Sequence, residues 1–331
     1  MMNETLQARC ERFVADRDAV KAAFPWENAG FYPVCAAFFT DKGIPADTER
    51  LRTCHKYFKS KIGIFSNFRG AAEVSLVAMM ACDEAPEERL ENALQVHRLL
   101  KEHFWGSTYL PVASMILSGA VEKERYEEIA ARTRRIYELM KAEHPFLTSD
   151  EDSVFAAMLA LSNLDDEAVV RETETCYSLL KERFFASNPV QSLSHVLTLT
   201  EDPMRTPKDK CRDTVMLYDT LKEKGYKYGT DYELATLGTL AMLPCGIENT
   251  ARDLIDVSEF LATQKGYGVF GMSKKQRLMH AGMLVVSEHM GGSDAMHGAA
   301  VGSTLSLIAA QQAATCAAIA ASVAAANAAS T

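Results

Sequence analysis

The chain has 331 residues, of which 48% are hydrophobic and 24% charged, and its formal net charge is −9. This composition is typical of folded domains in water and does not favour a disordered chain or a membrane bundle. The excess of acidic residues argues against a nucleic-acid partner, because affinity for a phosphate backbone comes from clustered Lys and Arg.

Helical patterns begin at the N-terminus and continue along the chain. Residues 1–24 predict an N-terminal helix, with its core from Glu4 to Ala23. Residues 28–40 then predict an apolar helix, and residues 45–60 predict a more polar one. We call the apolar type of helix A and the amphipathic type B.

From Ser66 onward this pair of helices recurs with a nearly fixed period. Hydroxyl residues suited to cap the start of an A helix recur at intervals of 38 to 43 residues. These residues are Ser66, Ser107, Ser149, Ser187, Thr230 and Ser273. A second series marks the end of each B helix and recurs every 40 or 41 residues, at Leu100, Met140, Leu180, Leu221 and Leu261. An aromatic residue closes each of these units, at Phe104, Phe146, Phe185, Tyr226 and Tyr267.

Spacing inside a B segment predicts which of its faces is buried. Tyr126, Ile129, Thr133, Ile136 and Met140 follow one another at steps of three and four residues, which places them on one stripe of a helix. The sequence therefore predicts an all-α chain of about seven tandem helix pairs, each of about 41 residues, forming one domain over residues 1–331. Such pairs can stack into an open α/α solenoid or close into an α/α toroid with the A helices inside.

The last B helix is predicted in the Ala-rich segment 298–331, which contains no charged side chain. Its large apolar residues are too sparse for a membrane helix, so we expect no membrane partner. Small residues allow helices to approach closely on every side. We therefore expect this C-terminal helix to be covered by the rest of the chain or by another subunit, which would make a homo-oligomer.

Four short motifs give the chain a resemblance to a known family. They are FSNFR at Phe65 to Arg69, STYL from Ser107, NPVQSLSHVLTL from Asn188 and AQQAA at Ala310 to Ala314. Over residues 28–326 the chain resembles a bacterial family, mostly from Gram-positive species, that is catalogued as domain of unknown function 4003. The resemblance implies a cytoplasmic helical protein and implies no activity.

Any binding site is expected at the edge where the A helices begin, or on their inward face. Candidates at this edge are Arg69, Asp150, Asp152, Asp231 and Arg277. Acidic residues in a first helical turn are also what the helix dipole favours, so a purely structural role is the alternative.

Polar residues inside the apolar A helices are a second group of candidates. They are Glu73, His195 and His280. Glu73 follows Arg69 by four residues, which suits an ion pair on one helix face. Each histidine could act as a general base in a cavity or be a hydrogen-bonded core residue.

No catalytic, metal-binding or phosphate-binding signature stands out in the sequence. It contains no H-E-x-x-H, no P-loop and no G-x-S-x-G. The eight cysteines lack zinc-ligand spacing and no apolar leader opens the chain, so we expect free thiols in the cytoplasm. We expect no cofactor and no metal, identify no catalytic residue, and leave open whether the protein is an enzyme.

Two functions fit these observations. The first is a helical-repeat protein that binds a partner protein or peptide on its concave face, because repeat arrays offer long continuous surfaces. The alternative is an enzyme or small-molecule binder with a pocket at the N-termini of the inner A helices.

Overall fold

The computed structural model describes residues 2–70, 72–104, 109–150, 152–200, 202, 204–268 and 271–290. Over these residues the chain forms fourteen α-helices and two 3₁₀ helices, and none of the described residues lies in a strand. The all-α prediction is therefore confirmed. The predicted C-terminal helix at 298–331 lies outside the described residues, as does the predicted cap Ser107.

The described chain divides into two compact units. Unit 1 contains residues 2–15 and 171–290, and unit 2 contains residues 16–170. Two helices, α1 (Glu4–Ala23) and α9 (Asp166–Lys181), contribute residues to both units. The prediction of one domain over residues 1–331 stays a prediction.

Unit 2 alternates apolar and amphipathic helices. Its A helices are α2 (Phe31–Lys42), α4 (Glu73–Ala81), α6 (Leu110–Ala120) and α8 (Asp152–Leu159). Its B helices are α3 (Thr48–Lys61), α5 (Pro86–His103) and α7 (Tyr126–Glu143). Each A helix contacts the next A helix, each B helix contacts the next B helix, and each B helix also packs on the A helix that follows it.

Burial explains why the two kinds of helix differ in sequence. All eight residues of α8 are buried, as are the first nine residues of α6, because these helices are surrounded by neighbours. The B helix α7 buries one stripe and leaves its other face to solvent. That stripe contains all five residues predicted from their spacing, from Tyr126 to Met140, so the prediction for this helix is confirmed.

Unit 1 follows the same alternation. Its A helices are α10 (Ser187–Leu199), α12 (Leu234–Ala241) and α14 (Lys274–Met290). Its B helices are α11 (Pro207–Glu223) and α13 (Ile247–Ala262). The A helices contact one another in order, and α13 packs on α14. The first part of α1 also belongs to this unit, where Arg9 Nε lies 2.7 Å from Glu288 Oε2 at the end of α14.

The predicted hydroxyl caps have mixed outcomes, since the N-cap of α10 is Ala186 and not Ser187, and that of α12 is Glu233 and not Thr230. Ser273 caps α14 as expected, because its Oγ accepts from the Gln276 N–H at 3.2 Å and its own N–H donates to the Gln276 side chain. Ser66 instead caps a 3₁₀ helix from Asn67 to Arg69, and α4 begins only at Glu73. The prediction that Ser66 starts the A helix is therefore wrong, since a tight turn separates them.

Candidate functional site

Arg69 closes the end of a B helix in unit 2. Its Nε donates to the carbonyl of Ile62 at 3.0 Å, and Nη2 donates to the carbonyls of Lys59 and Ile62 at 2.5 and 2.8 Å. These carbonyls belong to the last turn of α3, where backbone acceptors lack partners within the helix. Nε and Nη2 of Arg69 thus donate to backbone carbonyls and not to Glu73.

Glu73 pairs with α3 instead. Its Oε1 lies 2.5 Å from His55 Nε2 and 3.8 Å from Lys59 Nζ. Burial raises the pKa of Glu73, but the hydrogen bond to His55 and the charges of His55, Lys59 and Arg69 outweigh it and hold the pKa below its ordinary value. The structure therefore brings Arg69 and Glu73 to one place and adds His55, which sequence reasoning did not select.

The two predicted aspartates of unit 2 organise the start of α8. Asp152 is buried and its Oδ2 accepts from the Ser149 N–H at 2.8 Å. Asp150 is exposed and its carbonyl accepts from the Ser153 hydroxyl at 2.6 Å. Asp152 therefore makes the contact expected of an acid at a helix N-terminus, whereas the contact of Asp150 is made by its backbone.

The remaining candidates lie in unit 1. His195 is buried within α10, and His280 Nδ1 lies 3.0 Å from the buried Tyr267 hydroxyl. Arg277 Nε donates to Ser258 Oγ at 3.2 Å and so links α14 to α13. Asp231 is exposed ahead of α12, where its carbonyl accepts from a backbone N–H. As binding residues, all eight candidates stay predictions.

Unit 2 exposes large aromatic side chains that the sequence analysis did not select. Trp26, Phe65 and Phe146 are exposed by 96%, 95% and 101%, and Ile64 beside Phe65 is exposed by 70%. Each lies in a loop that leads into an A helix, namely α2, α4 or α8. In unit 1, Phe185 is 92% exposed in the corresponding loop before α10.

Each B helix packs on the A helix that follows it after a short connection, as α3 does on α4, which favours opposite directions for the two helices. We therefore expect the loops that enter the A helices to lie toward one edge of unit 2, where the A helices begin. Neighbouring A helices are about 8 to 10 Å apart, so the three aromatic side chains extend over a few tens of ångströms. We call Trp26, Ile64, Phe65 and Phe146 the aromatic edge. In the sequence, Trp105 has the matching place before α6, outside the described residues.

The segment around Phe65 also carries positive charge. Residues 56–69 contain Lys56, Lys59, Lys61 and Arg69 and no acidic residue. Lys59 and Lys61 are about half exposed, and Lys61 Nζ lies 3.4 Å from Glu91 on the neighbouring α5. An apolar tip flanked by lysine side chains suits a ligand that presents both apolar and acidic groups.

The aromatic residues that close the repeat units do not by their position in the sequence reveal the aromatic edge. The aromatic residues that close the repeat units differ in exposure, since Phe104 and Tyr267 are buried, Tyr226 is partly exposed, and Phe146 and Phe185 are exposed. In the sequence, Phe104 directly follows the B helix, and Phe146 lies three residues beyond its end. Tyr267 lies five residues beyond the end of its B helix, α13, and is buried, so the distance from the helix end does not separate the packed aromatic residues from the exposed ones.

A polar cavity lies at the opposite edge of unit 2, where the A helices end. Its volume is about 510 Å³, and its lining includes Asp83, Arg89, Glu122 and Lys123. Arg89 Nη2 donates to the Met115 carbonyl in α6 and its Nε lies 3.9 Å from Asp83. The alternative function predicted a pocket at the N-termini of the A helices, whereas this cavity is at their C-terminal ends.

The described residues contain no group of three or more His, Cys, Asp or Glu side chains placed to hold a metal ion. Over the same part of the chain, no helix is both long enough and apolar enough to cross a membrane.

Comparison with known proteins assigns the chain to a family. The model of the family described as "Protein of unknown function (DUF4003)" matches residues 18–313, and the chain belongs to this family. The resemblance inferred from the motifs is therefore confirmed. A relative from Bacillus subtilis (strain 168), described as "Uncharacterized protein YeaA", is 24% identical over 327 residues, covering 96% of each chain. No solved structure was found to match.

Proposed function

We propose that this protein binds a partner protein or peptide, and that the aromatic edge of unit 2 is the surface that binds it. The observation that carries the proposal is the almost complete exposure of Trp26, Phe65 and Phe146 in loops at one edge. Each aromatic side chain can remove about 150 to 250 Å² from water on binding. Aromatic residues are also enriched at protein interfaces, and Trp and Tyr are among those that contribute most to binding energy.

The chemistry of the edge indicates the kind of partner. Phe65 and Ile64 supply apolar contact, and the flanking Lys59 and Lys61 supply positive charge. An extended or helical peptide with apolar side chains and nearby Asp or Glu fits this combination. This surface is at the edge of the helix array, whereas the sequence analysis expected the concave face.

The predicted stacking of helix pairs is compatible with this proposal. Stacked helix pairs, as an open solenoid or as a closed toroid, would present the loops before the A helices in a row, which supports a role in binding. The cytoplasmic location, the absence of a nucleic-acid partner and the homo-oligomer through 298–331 stay predictions. So does the alternative of an enzyme or small-molecule binder.

A peptide-display experiment tests the proposal without knowledge of the natural partner. A library of random peptides is selected against the full-length protein, and the affinity of recovered peptides is measured by fluorescence anisotropy. We expect peptides rich in apolar and acidic residues, and we expect the triple variant W26A/F65A/F146A to bind them at least 10-fold more weakly, since hot-spot side chains contribute 2 kcal/mol or more each.

The control is Met216→Ala, which removes an exposed apolar side chain from the B helix α11 in unit 1. It should leave peptide affinity unchanged. Selection that recovers no peptide, or peptides that bind the triple variant as tightly as the natural sequence, would contradict the proposal.

A further inference from the structure

The polar cavity of unit 2 lies apart from the aromatic edge, at the edge where the A helices end. Three segments form it: the start of α5, the end of α6 and the residues that lead into α7. Its volume of about 510 Å³ falls within the range of small-molecule sites. The cavity is therefore large enough to hold a ligand of its own.

Small residues leave this space open, and polar groups surround it. Gly119 and Ala120, at the end of α6, and Ala85, at the N-cap of α5, line the cavity without a long side chain. The buried Tyr126 also lines it, and its hydroxyl donates to the Ser118 carbonyl at 3.2 Å. Such a lining favours a hydrophilic ligand, because polar groups taken from water need hydrogen-bond partners.

The charged side chains of the lining are unequally matched. There are three acids and two bases, namely Asp83, Glu88, Glu122, Arg89 and Lys123. Lys123 Nζ lies 2.9 Å from Glu88 Oε1. Arg89 donates to the Met115 carbonyl, and its Nε lies 3.9 Å from Asp83 Oδ2. Both bases thus have partners within the lining and its walls, whereas Glu122 has no ion pair or side-chain hydrogen bond within the described part of the chain.

The backbone adds to the negative potential of the cavity. Gly119 and Ala120 are the last two residues of α6, and the last carbonyls of a helix carry partial negative charge. The unmatched groups are therefore the Glu122 carboxylate and the negative end of a helix. The complementary ligand is a cation that can donate hydrogen bonds.

The distribution of the acids favours an organic cation over a metal ion. Asp83 precedes α5, Glu88 lies in its first turn, and Glu122 belongs to the segment that leads into α7. Among the described residues, no three His, Cys, Asp or Glu side chains are placed to hold one metal ion, which needs several ligands around a single point. A ligand that reaches more than one of these carboxylates must carry its positive charges at separate places along its length.

We propose that this cavity binds a linear polyamine, a chain of methylene groups that carries two or more ammonium groups. One ammonium group donates to the Glu122 carboxylate beside the end of α6, in a charge-assisted hydrogen bond. A second approaches Asp83, whose contact with Arg89 is loose at 3.9 Å. The methylene chain between them passes Gly119 and Ala120, which leave room for it. This site does not depend on the partner proposed for the aromatic edge.

Isothermal titration calorimetry of the full-length protein with spermidine tests the proposal. Glu122→Gln keeps the shape of the side chain and removes its charge, so it should weaken spermidine binding about 10-fold, the effect of losing one charge-assisted hydrogen bond. The matched control is Glu124→Gln, because Glu124 is also exposed, lies two residues further along and is not part of the lining. Both variants have the same net charge, so equal weakening would indicate non-specific attraction and overturn the proposal.

Two further measurements test the chemistry of the ligand. Lys123→Gln should tighten spermidine binding several-fold, because it removes a repelling charge and frees Glu88 from its ion pair. Choline, whose trimethylammonium group has no N–H to donate, should bind roughly 10-fold more weakly than spermidine or less tightly still. The proposal would be overturned by choline or Mg²⁺ binding as tightly as spermidine, by weaker spermidine binding in Lys123→Gln, or by the absence of spermidine binding.

Discussion

The two edges of unit 2 use the ends of the same helices in different ways. Where the A helices end, a cationic side chain from the preceding B helix donates to their backbone carbonyls. Arg50 of α3 does so for α4 and Arg89 of α5 for α6, whereas Arg132 of α7 donates to carbonyls in the residues directly after α8. Where the A helices begin, Trp26 and Phe65 extend into solvent.

The difference indicates which of the two edges stabilises the fold. The last carbonyls of a helix lack partners and carry partial negative charge, so an arginine that donates to them satisfies several groups at once. We call Arg50, Arg89 and Arg132 the arginine edge. The exposed aromatic side chains of the other edge satisfy nothing within unit 2. Substitutions should therefore lower stability at the arginine edge and affect only binding at the aromatic edge.

The largest expected effect on stability is that of replacing Phe68, a buried residue close in sequence to Phe65 of the aromatic edge. Phe68 is fully buried, and its ring lies 4.9 Å from His97 and 6.2 Å from Phe58, between centroids. Phe68→Ala should lower the free energy of unfolding by about 3 to 5 kcal/mol, measured by urea titration. Burial lowers the pKa of His97 to about 4, so in this variant the pKa should rise toward its ordinary value by NMR titration. An unchanged pKa would contradict the packing described.

Arg132→Met is expected to cause the next largest loss of unfolding free energy, and it tests the arginine edge. The Arg132 guanidinium donates to the carbonyls of Ala160 at 3.0 Å and Ser162 at 2.7 Å and pairs with Asp166 at 2.9 Å. Loss of these charge-assisted bonds should cost about 2 to 3 kcal/mol of unfolding free energy. Arg135→Met is the matched control, because Arg135 pairs with the same Asp166 but is 57% exposed, and should cost less than about 1 kcal/mol. Equal costs would remove the distinction between the two edges.

Gly119→Ala probes the arginine edge from the backbone side. A Cβ at this position would lie 1.7 Å from Arg89 Nη1, so the guanidinium would have to leave the Met115 carbonyl. We expect a loss of about 1 to 2 kcal/mol in thermal or urea unfolding. In an Arg89→Met background the same change should be neutral or stabilising by up to about 1 kcal/mol, because Ala is the better helix former. A loss of equal size in both backgrounds would show that Arg89 is not the obstacle.

A smaller, pH-dependent effect is expected at Glu73, where the two helix types meet near the aromatic edge. Its pKa is held below the ordinary value, so the ionised carboxylate stabilises the fold above the unfolded pKa of about 4.3, and this contribution is lost as the pH falls through the folded value. Glu73→Gln should cost about 1 kcal/mol or less near neutral pH, and this cost should vanish once acid has protonated the carboxylate. Urea midpoints at a series of pH values measure this, and a gap that persists in acid would contradict it.

The smallest effect is expected for Phe65→Ala, three residues from Phe68. Phe65 is 95% exposed, so its removal should change the free energy of unfolding by less than about 0.5 kcal/mol. The comparison with Phe68→Ala by the same urea titration isolates burial as the cause, since the chemical change is identical. A cost approaching that of Phe68→Ala would mean that Phe65 packs within the fold and is not available to a partner.

Much of the helical pattern could be predicted from sequence, and some of the connections could not. The stripe of α7 follows from the 3.6-residue period, and the Ser273 cap follows from local hydrogen bonding. Ser66 has the same local chemistry, yet it caps a 3₁₀ turn ahead of α4. The difference depends on how the chain passes from α3 to α4, which neighbouring helices determine.

The candidate surfaces were less predictable. Arg69 and Glu73 have the spacing of an ion pair, but His55 and the carbonyl ends of α3 compete for them and make the closer contacts. Polar partners that come from separate helices are chosen by packing, so spacing along one helix cannot identify them.

The sequence by itself determined the all-α fold and the alternation of apolar and amphipathic helices, because periodicity, capping and helix dipoles act over a few residues. Only the tertiary structure decided which aromatic residues at the unit ends are buried and which are exposed, as Phe104 and Phe146 show. It also decided that three arginines close one edge of unit 2. The physical reason is that burial and cross-helix hydrogen bonding depend on which helix lies alongside, a property of the packed chain.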